Sequence, residues 1–187
     1  MVNEECNFCN EAKLKVGDIS SYGSTIIYKI GDEKNGWFAT LSPKTGGDPG
    51  KDFCIQIMPS SHLQHISDID TNLDLAKNYG LVFAKLSSAI NAIMKEEERH
   101  NENSEKVVRI GTYGKSKHPE EHFHVKLFPW AGKIGQPYTV DSTFEHNNIH
   151  KDQDGTEFIK MQPVKKTMIP ESRYSSLVDK FISLLNN

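Results

Sequence analysis

The amino-acid sequence predicts an α+β fold in which an antiparallel sheet of about five strands packs against one long crossover helix. Three observations support this prediction. Short β-forming segments precede residue 60, a long segment with helical spacing of apolar residues follows, and a strictly alternating segment comes after it. We expect a single domain over 1–187, with its core in residues 4–130 and a C-terminal helical extension over 131–187.

The segments before residue 60 predict an antiparallel meander. The pair Asn35-Gly36 is typical of a hairpin turn between the first two strands. Residues 43–51 are rich in Gly and Pro and predict a loop. Cys54, in the third strand, is expected to be a small buried hydrophobe. The three strands are predicted at 24–30, 37–41 and 53–58.

A long amphipathic helix is predicted next, because apolar residues recur at helical spacing from Ala76 to Met94. Thr71 and Asp74 are spaced like a capping box and predict its start. We expect the apolar stripe to serve core packing. The charged run 96–106 has no periodicity and predicts the helix end and a solvated loop.

Two segments complete the predicted sheet. Residues 107–110 predict a fourth strand, and 111–119 predict either a phosphate-cradling loop or an ordinary surface loop. Residues 121–130 alternate polar and apolar, which predicts a half-buried strand that Pro129 ends. Such alternation alone usually marks a solvated face. The polar face would carry His122, His124 and Lys126, and the apolar face Phe123, Val125 and Leu127.

After residue 131, the pattern of apolar and polar residues predicts secondary structure less clearly. Residues 132–170 are polar and predict mostly loops, with a turn at Asp154-Gly155 and a further strand at 156–161. Pro170 suits the first turn of a last helix. The apolar face of that helix would consist of Tyr174, Leu177, Val178, Phe181, Leu184 and Leu185.

Composition indicates a cytoplasmic protein. The formal net charge of -3 argues against a dedicated nucleic-acid binder. The three cysteines are too few, and odd in number, for a disulfide framework. The acidic N-terminus lacks the apolar region of a signal peptide, and no apolar run approaches the ~20 residues that span a bilayer.

Cys6 and Cys9 form a C-x-x-C pair close to the N-terminus. Such a pair is half of a zinc site, a redox pair or a chance occurrence. A redox pair usually follows a strand, and only five residues precede Cys6, so the redox interpretation is disfavoured. A metal site requires two further ligands.

In order and spacing, these motifs resemble the histidine-triad (HIT) superfamily. Members carry His-φ-His-φ-His-φ-φ on a strand near the end of the domain, and here the third position is Lys126. Residues 37–43, then 55–62 with a Pro-x-x-His turn, then the long helix, are similar to the family's elements in the expected order. The resemblance covers about residues 4–130, and some features are similar to galactose-1-phosphate uridylyltransferases.

The resemblance implies a nucleotide hydrolase or nucleotidyltransferase that acts at the α-phosphate of a nucleoside monophosphate derivative through a nucleotidyl-histidine intermediate. By position, the nucleophile is His124. Neutral imidazole is nucleophilic near pH 7, and Lys126 on the same face would supply a cation for the phosphoryl group. The resemblance places nucleotide contacts at Thr40, Leu41, Ser116 and His118.

The chain departs from the family pattern at three places. Lys126 replaces the third His, where the uridylyltransferases carry Gln. Thr40 stands where family hydrolases hold the ribose with an acidic residue. His118 and Pro119 stand where the family has a Gln/Ser pair, so an inserted loop would leave that role to Ser116.

The resemblance also implies a zinc site. Some HIT proteins and the uridylyltransferases bind zinc through an N-terminal C-x-x-C, the His of the Pro-x-x-His turn and the first triad His. Those positions are filled here by Cys6, Cys9, His62 and His122, a common set for structural zinc. His65 is an alternative third ligand, and four unrelated polar residues are the competing interpretation. We expect surface positions for His100, His146 and His150.

Two other functions stay open. A non-catalytic, zinc-stabilised HIT-fold module could bind a nucleotide or a partner, as Lys126 and Thr40 suggest. A zinc-stabilised protein could contact nucleic acid through Lys115 and Lys117, although the net acidity disfavours it. The resemblance further implies a homodimer formed by the region after the long helix, a surface that the C-terminal extension could cover.

Overall fold

The computed structural model describes residues 6–70, 72–99, 109–115, 122–130, 142–163 and 165–186. Within them the α-helices are α1 (Asn7–Glu11), α2 (Leu73–Glu96) and α3 (Glu171–Leu185). A short 3-10 helix covers Ile66–Ile69. The strands are β1 (Thr25–Ile30), β2 (Trp37–Leu41), β3 (Lys44–Thr45), β4 (Ile55–Pro59), β5 (Arg109–Lys115), β6 (His124–Trp130), β7 (Ser142–Lys151), β8 (Glu157–Pro163) and β9 (Thr167–Met168).

The main sheet has five strands in the order β1-β2-β4-β6-β5, and every neighbouring pair is antiparallel. Strands β1, β2 and β4 form the predicted meander. In sequence, helix α2 lies between β4 and β5. Because β6 separates these two strands in the sheet, the helix is part of a crossover connection. The predicted α+β class, with an antiparallel sheet and one long helix, is therefore confirmed.

The two faces of the sheet are covered by different parts of the chain. The face toward α2 carries the alternate apolar residues of each strand, such as Ile55, Ile57 and Val125, and forms the main core with that helix. On the other face Phe38 and Met58 pack against the N-terminal segment 6–18. This second face also holds the polar residues of β6, because strand side chains alternate between faces.

The N-terminal segment is fixed to the sheet by polar as well as apolar contacts. Lys29 Nζ in β1 donates to the carbonyl oxygens of Ala12 (2.5 Å) and Leu14 (2.7 Å), near the end of α1. Burial lowers the pKa of this ammonium group, partly offset by the charge of Asp18. Helix α1 has only five residues, so it depends on such contacts for its position.

Helix α2 has the predicted buried stripe, but its first turn differs from the prediction. The N-cap is Asn72, whose side-chain oxygen accepts from the backbone N–H groups of Asp74 and Leu75, each at 3.1 Å. A Thr71–Asp74 capping box is therefore wrong, because the helix begins one residue later and Asn caps as well as Thr. Among the described residues, no helix is long and apolar enough to cross a bilayer.

The hairpin between β1 and β2 forms, with a six-residue connection rather than a tight Asn-Gly turn. Ile30 pairs with Trp37, and Gly31 takes the left-handed conformation (φ +73°). A side chain at Gly31 would also meet Asn35 Oδ1 at 2.5 Å. Asp32 Oδ1 then accepts from the backbone N–H groups of Lys34 and Asn35, which closes the turn.

Three predicted loops contain strands. Within 43–51, Lys44–Thr45 pairs with Thr167–Met168 in a two-stranded sheet. Within 111–119, the part up to Lys115 belongs to β5, so the predicted loop does not begin at Gly111. Residues 116–119 lie outside the described residues, and a phosphate-cradling or surface loop there stays a prediction. Strand β7, in the polar region after 131, pairs with β8 around the predicted turn at Asp154-Gly155. The partners of these strands are distant or polar, so local periodicity did not reveal them.

Helix α3 contributes directly to the main core. Leu177, Phe181 and Leu185 are buried there, and the Phe181 ring meets Phe53 edge-on with centroids 5.5 Å apart. Of its predicted apolar face, Leu184 is instead 48% exposed. The hydroxyl of Tyr174 accepts from Thr25 N and donates to Leu41 O. The C-terminal helix therefore secures β1 and β2 from the side opposite the N-terminal segment.

Candidate functional site

The alternation predicted for this segment is realised over 122–127, although β6 begins only at His124. The prediction that Pro129 ends the strand is wrong, because Pro129 and Trp130 still pair with β5 at the edge of the segment. Phe123, Val125 and Leu127 lie in the main core. His122, His124 and Lys126 belong to the opposite face and are almost fully enclosed, with 2%, 3% and 3% of their surfaces exposed. An ordinary solvated strand face would leave its polar side chains in water. Three buried ionisable side chains in a row are costly to desolvate and indicate a specialised site.

Four side chains at one end of this face form a candidate metal centre. His122 Nδ1 lies 3.4 Å from Cys6 Sγ and 3.6 Å from Cys9 Sγ, and His62 Nδ1 lies 3.5 Å from Cys9 Sγ. One ligand atom from each residue lies within 4.8 Å of every other. The cluster Cys6, Cys9, His62 and His122 could therefore hold a metal ion.

These distances agree with tetrahedral coordination. With metal–sulfur bonds of ~2.3 Å and metal–nitrogen bonds of ~2.0–2.1 Å, tetrahedral angles place a sulfur and a nitrogen about 3.6 Å apart. The three sulfur–nitrogen separations, 3.4, 3.5 and 3.6 Å, match that value. His65, the alternative ligand, instead caps the 3-10 helix by accepting from Ser67 N, and it is exposed.

His122 is held in the tautomer that a metal ligand requires. Its Nε2 lies 3.0 Å from the carbonyl oxygen of Pro59 at the end of β4. A carbonyl only accepts, so Nε2 carries the proton and Nδ1 presents its lone pair toward the two cysteines. Burial lowers the pKa of His122 to about 4, partly offset by the Pro59 hydrogen bond, so the ring is neutral at pH 7.

Three elements bring the four candidate ligands together. Cys6 is the N-cap of α1, and Cys9 lies within that helix. His62 lies in the loop that follows β4, and this loop is fixed to the start of β6 because Phe123 N donates to Leu63 O at 2.7 Å. His122 comes just before β6. A metal here would tie the N-terminal segment to the centre of the sheet.

The stability of the metal-free protein is expected to depend on pH through His122. The folded protein keeps this ring neutral down to pH about 4, whereas the unfolded chain protonates it near the ordinary histidine pKa of 6.5. Acidification between these values therefore favours unfolding, and the stabilisation present above pH 6.5 falls by up to roughly 3 kcal/mol. Denaturant unfolding after chelation, at pH 7 and pH 4.5, measures this loss.

The control for this measurement is His122→Gln, which removes the titrating ring. The acid-induced loss should be smaller in the variant by the amount assigned to His122. An equal loss in both proteins would show that other groups cause it.

His124 lies next to the metal centre in a different environment. Its Nδ1 is 3.4 Å from the carbonyl oxygen of His122. Because a carbonyl oxygen only accepts, Nδ1 carries the proton, and the lone pair of the neutral ring lies on Nε2. The ring of Phe8 packs on it, with centroids 5.4 Å apart and planes inclined by 56°. Phe8 also meets the edge of the His122 ring at 5.7 Å. Because Phe8 lies between the two cysteines, one aromatic ring touches both the metal centre and His124.

Lys126 belongs to a row of polar residues that crosses the sheet. It pairs directly with Gln56 in β4, and Gln56 pairs with Thr40 in β2. Directly paired residues share a face, so all three lie on the His124 side. Thr40 is fully buried, and in the described structure its Oγ1 has no hydrogen-bond partner.

No family model, curated protein or solved structure matches this chain. The residues of the site themselves are therefore the guide to function. Of the predicted nucleotide contacts, Thr40 lies on the His124 face. The Leu41 side chain lies in the main core on the opposite face. Ser116 and His118 are outside the described residues.

Sequence reasoning missed three residues of this region. Gln56 is the one polar residue between the buried Ile55 and Ile57, and that interruption of an apolar strand was a usable signal. Phe8 gave no signal, since its neighbours are distant in sequence. Glu11 in α1 is 3% exposed, and burial raises the pKa of its carboxyl group, partly offset by a hydrogen bond from Ser20. A buried carboxyl two residues from Cys9 could not be anticipated from an acidic N-terminus.

The remaining histidines differ in their positions. His150 is half-buried rather than on the surface, and its ring stacks on Phe158 with centroids 5.5 Å apart. His100 lies outside the described residues, as does the side chain of His146.

Proposed function

We propose that this chain is a zinc-containing nucleotide hydrolase or nucleotidyltransferase with a HIT-like fold, in which His124 forms a nucleotidyl-histidine intermediate. The observation that carries the proposal is the hydrogen bond from His124 Nδ1 to the His122 carbonyl, on a buried face that also holds Lys126. Enclosed, oriented nucleophiles with a cation nearby are typical of catalytic sites.

The hydrogen bond supports nucleophilic attack by Nε2. With the proton on Nδ1, the lone pair of the ring lies on Nε2, and the carbonyl stabilises the positive charge that the ring acquires when Nε2 forms a bond. Nε2 would attack the α-phosphorus, and the bond from phosphorus to the leaving group would break with its electron pair. Water or another acceptor would then attack the same phosphorus and release the neutral ring of His124.

Lys126 supports the same step through its charge. It lies two residues along the strand from His124, which corresponds to roughly 7 Å between Cα atoms on one face. An ammonium group on a four-carbon stem can reach a phosphoryl oxygen that is bound beside His124. In an enclosed site such a cation stabilises developing negative charge more strongly than it would in water.

Zinc is the metal that best suits the four ligands. A set of two thiolates and two imidazoles in a tetrahedron is common for structural zinc and leaves no open coordination position. Bound there, zinc would supply structural cohesion, not a Lewis acid for the reaction. The chain's own contribution would be to hold His122, and through its carbonyl His124, in a fixed orientation.

The metal assignment predicts about one zinc per chain, as a single four-ligand site requires. Elemental analysis of protein purified without chelators measures this ratio. Cys54→Ser is the matched control, because Cys54 is buried but is not part of the four-residue cluster. A ratio far below one zinc per chain in the wild type would contradict the assignment.

The proposed reaction predicts a covalent intermediate. The protein is mixed with phosphate esters, phosphoramidates and anhydrides of nucleoside monophosphates and quenched in alkaline denaturant, where a phosphohistidine bond survives. Intact-protein mass should increase by one nucleotidyl group with at least one compound, and product analysis should detect its turnover. Absence of both adduct and product across the panel would contradict the proposed enzymatic activity. Nucleotide binding without either would favour the non-catalytic module.

A further inference from the structure

Gln56 is a polar side chain of the His124 face to which the proposed reaction assigns no role. It is the second residue of β4 and lies between the fully buried Ile55 and Ile57, which belong to the main core. Its direct partner across the sheet is Lys126. Since Ile57 pairs with Val125, Gln56 is also the diagonal neighbour of His124. Diagonal neighbours are about 7–8 Å apart, which long side chains can bridge.

The row that contains Gln56 has the character of a ligand site. Lys126 and Thr40, on either side of it, are 3% and 0% exposed, whereas Gln56 is half-buried. Thr40 Oγ1 is buried without a hydrogen-bond partner within the described part of the chain. A buried hydroxyl without a partner costs free energy, which a ligand or an ordered water would recover.

We propose that Gln56 is a third contact of the reacting phosphoryl group, with its amide NH2 donating to a non-bridging oxygen beside Lys126. This inference rests on the proposed function and adds a residue to it. His124 would approach phosphorus from its own position on β6, while Lys126 and Gln56 would bind oxygens from two adjacent strands. The two donors differ in kind, because Lys126 supplies charge and Gln56 supplies a directed dipole.

A structural role for Gln56 and a role in ligand binding predict different effects of substitution on stability. If the amide mainly supported the fold, Gln56→Leu would lower the free energy of unfolding. If the amide serves a ligand, an apolar side chain of similar size in a β-strand next to Met58 and Phe38 should leave stability unchanged or raise it. Stability and ligand affinity measured on the same variant therefore separate the two roles.

The experiment compares calorimetric binding of the four common ribonucleoside 5′-monophosphates and of the corresponding nucleosides to the full-length protein. Gln56→Leu should weaken binding of the monophosphate that the wild type prefers by tenfold or more, the usual effect of a hydrogen bond to a charged group. Binding of the nucleoside should not change. Gln64→Leu is the matched control, because Gln64 is exposed in the loop after β4.

Each of the other possible results shows which of the two proposals is wrong. If the wild type binds a monophosphate and Gln56→Leu binds it equally well, the role of Gln56 is wrong and the proposed function stands. If the variant loses affinity for monophosphate and nucleoside alike, the contact is not to the phosphoryl group. If the wild type binds none of the monophosphates, both this inference and the proposed function are contradicted.

Discussion

His124→Ala is expected to abolish the nucleotide adduct and to lower turnover by about a thousandfold or more, because the proposed covalent intermediate forms on His124. The substitution removes Nε2, which would attack phosphorus, and leaves Lys126 and the four candidate metal ligands in place. Zinc content should therefore be unchanged. Single-turnover kinetics with the best substrate of the panel, followed by intact-protein mass, measures both effects.

The control for this prediction is His150→Ala. His150 stacks on Phe158 in the β7–β8 hairpin, so the same chemical change is made outside the candidate site. This variant should keep wild-type turnover and adduct formation. An adduct that persists in His124→Ala, with a mass gain localised to another residue, would contradict His124 as the nucleophile.

Cys9→Ser is expected to lose the metal and a large part of the stability of the fold. Cys9 is buried, and its sulfur is 3.5 Å from His62 Nδ1 and 3.6 Å from His122 Nδ1. A serine hydroxyl is not deprotonated near pH 7 and is a poor ligand for zinc, so the tie between the N-terminal segment and β6 is lost. We expect the free energy of unfolding to fall by roughly 3–5 kcal/mol, which corresponds to about 10 °C in Tm for a chain of this size.

Thermal unfolding and metal analysis of the same preparations test this prediction. Cys54→Ser makes the identical change at a buried cysteine outside the cluster, so it should keep its metal and lose less stability. Chelation of the wild type should reproduce the Tm of Cys9→Ser, and chelation of Cys9→Ser should have no further effect. A Cys9→Ser protein with wild-type zinc content and Tm would contradict the metal centre.

Loss of the metal should also affect His124, because the two sites share Phe8. The ring of Phe8 lies between the cysteines in sequence and packs on His124 in the fold. When the N-terminal segment is no longer tied to β6, this contact should weaken. The Cys9→Ser protein is therefore expected to turn over more slowly even under conditions in which it stays folded.

Much of the architecture follows from local sequence patterns. Apolar residues at helical spacing predicted α2, and alternation at 121–130 correctly assigned His124 and Lys126 to one face of β6, with His122 just before the strand. Both patterns are periodic over neighbouring residues, and burial of one face is the physical reason for each. The position of Pro59 three residues before His62 is likewise visible in the sequence.

Other features depended on groups that are far apart in the chain. Cys6 and His122 are 116 positions apart in the sequence, and the sequence could suggest their contact only through a family resemblance. The pairing of Lys44–Thr45 with Thr167–Met168 and the packing of Phe8 on His124 had no local signature at all.

The sequence by itself determined the class of fold, the long helix and the residues that share the polar face of β6, because these follow from the period of apolar side chains. Only the tertiary structure decided that this face is enclosed, that four ligands converge at its end, and that Thr40, Gln56 and Lys126 form one row. Convergence and enclosure depend on strand register and on how distant segments pack. Local periodicity carries no information about either.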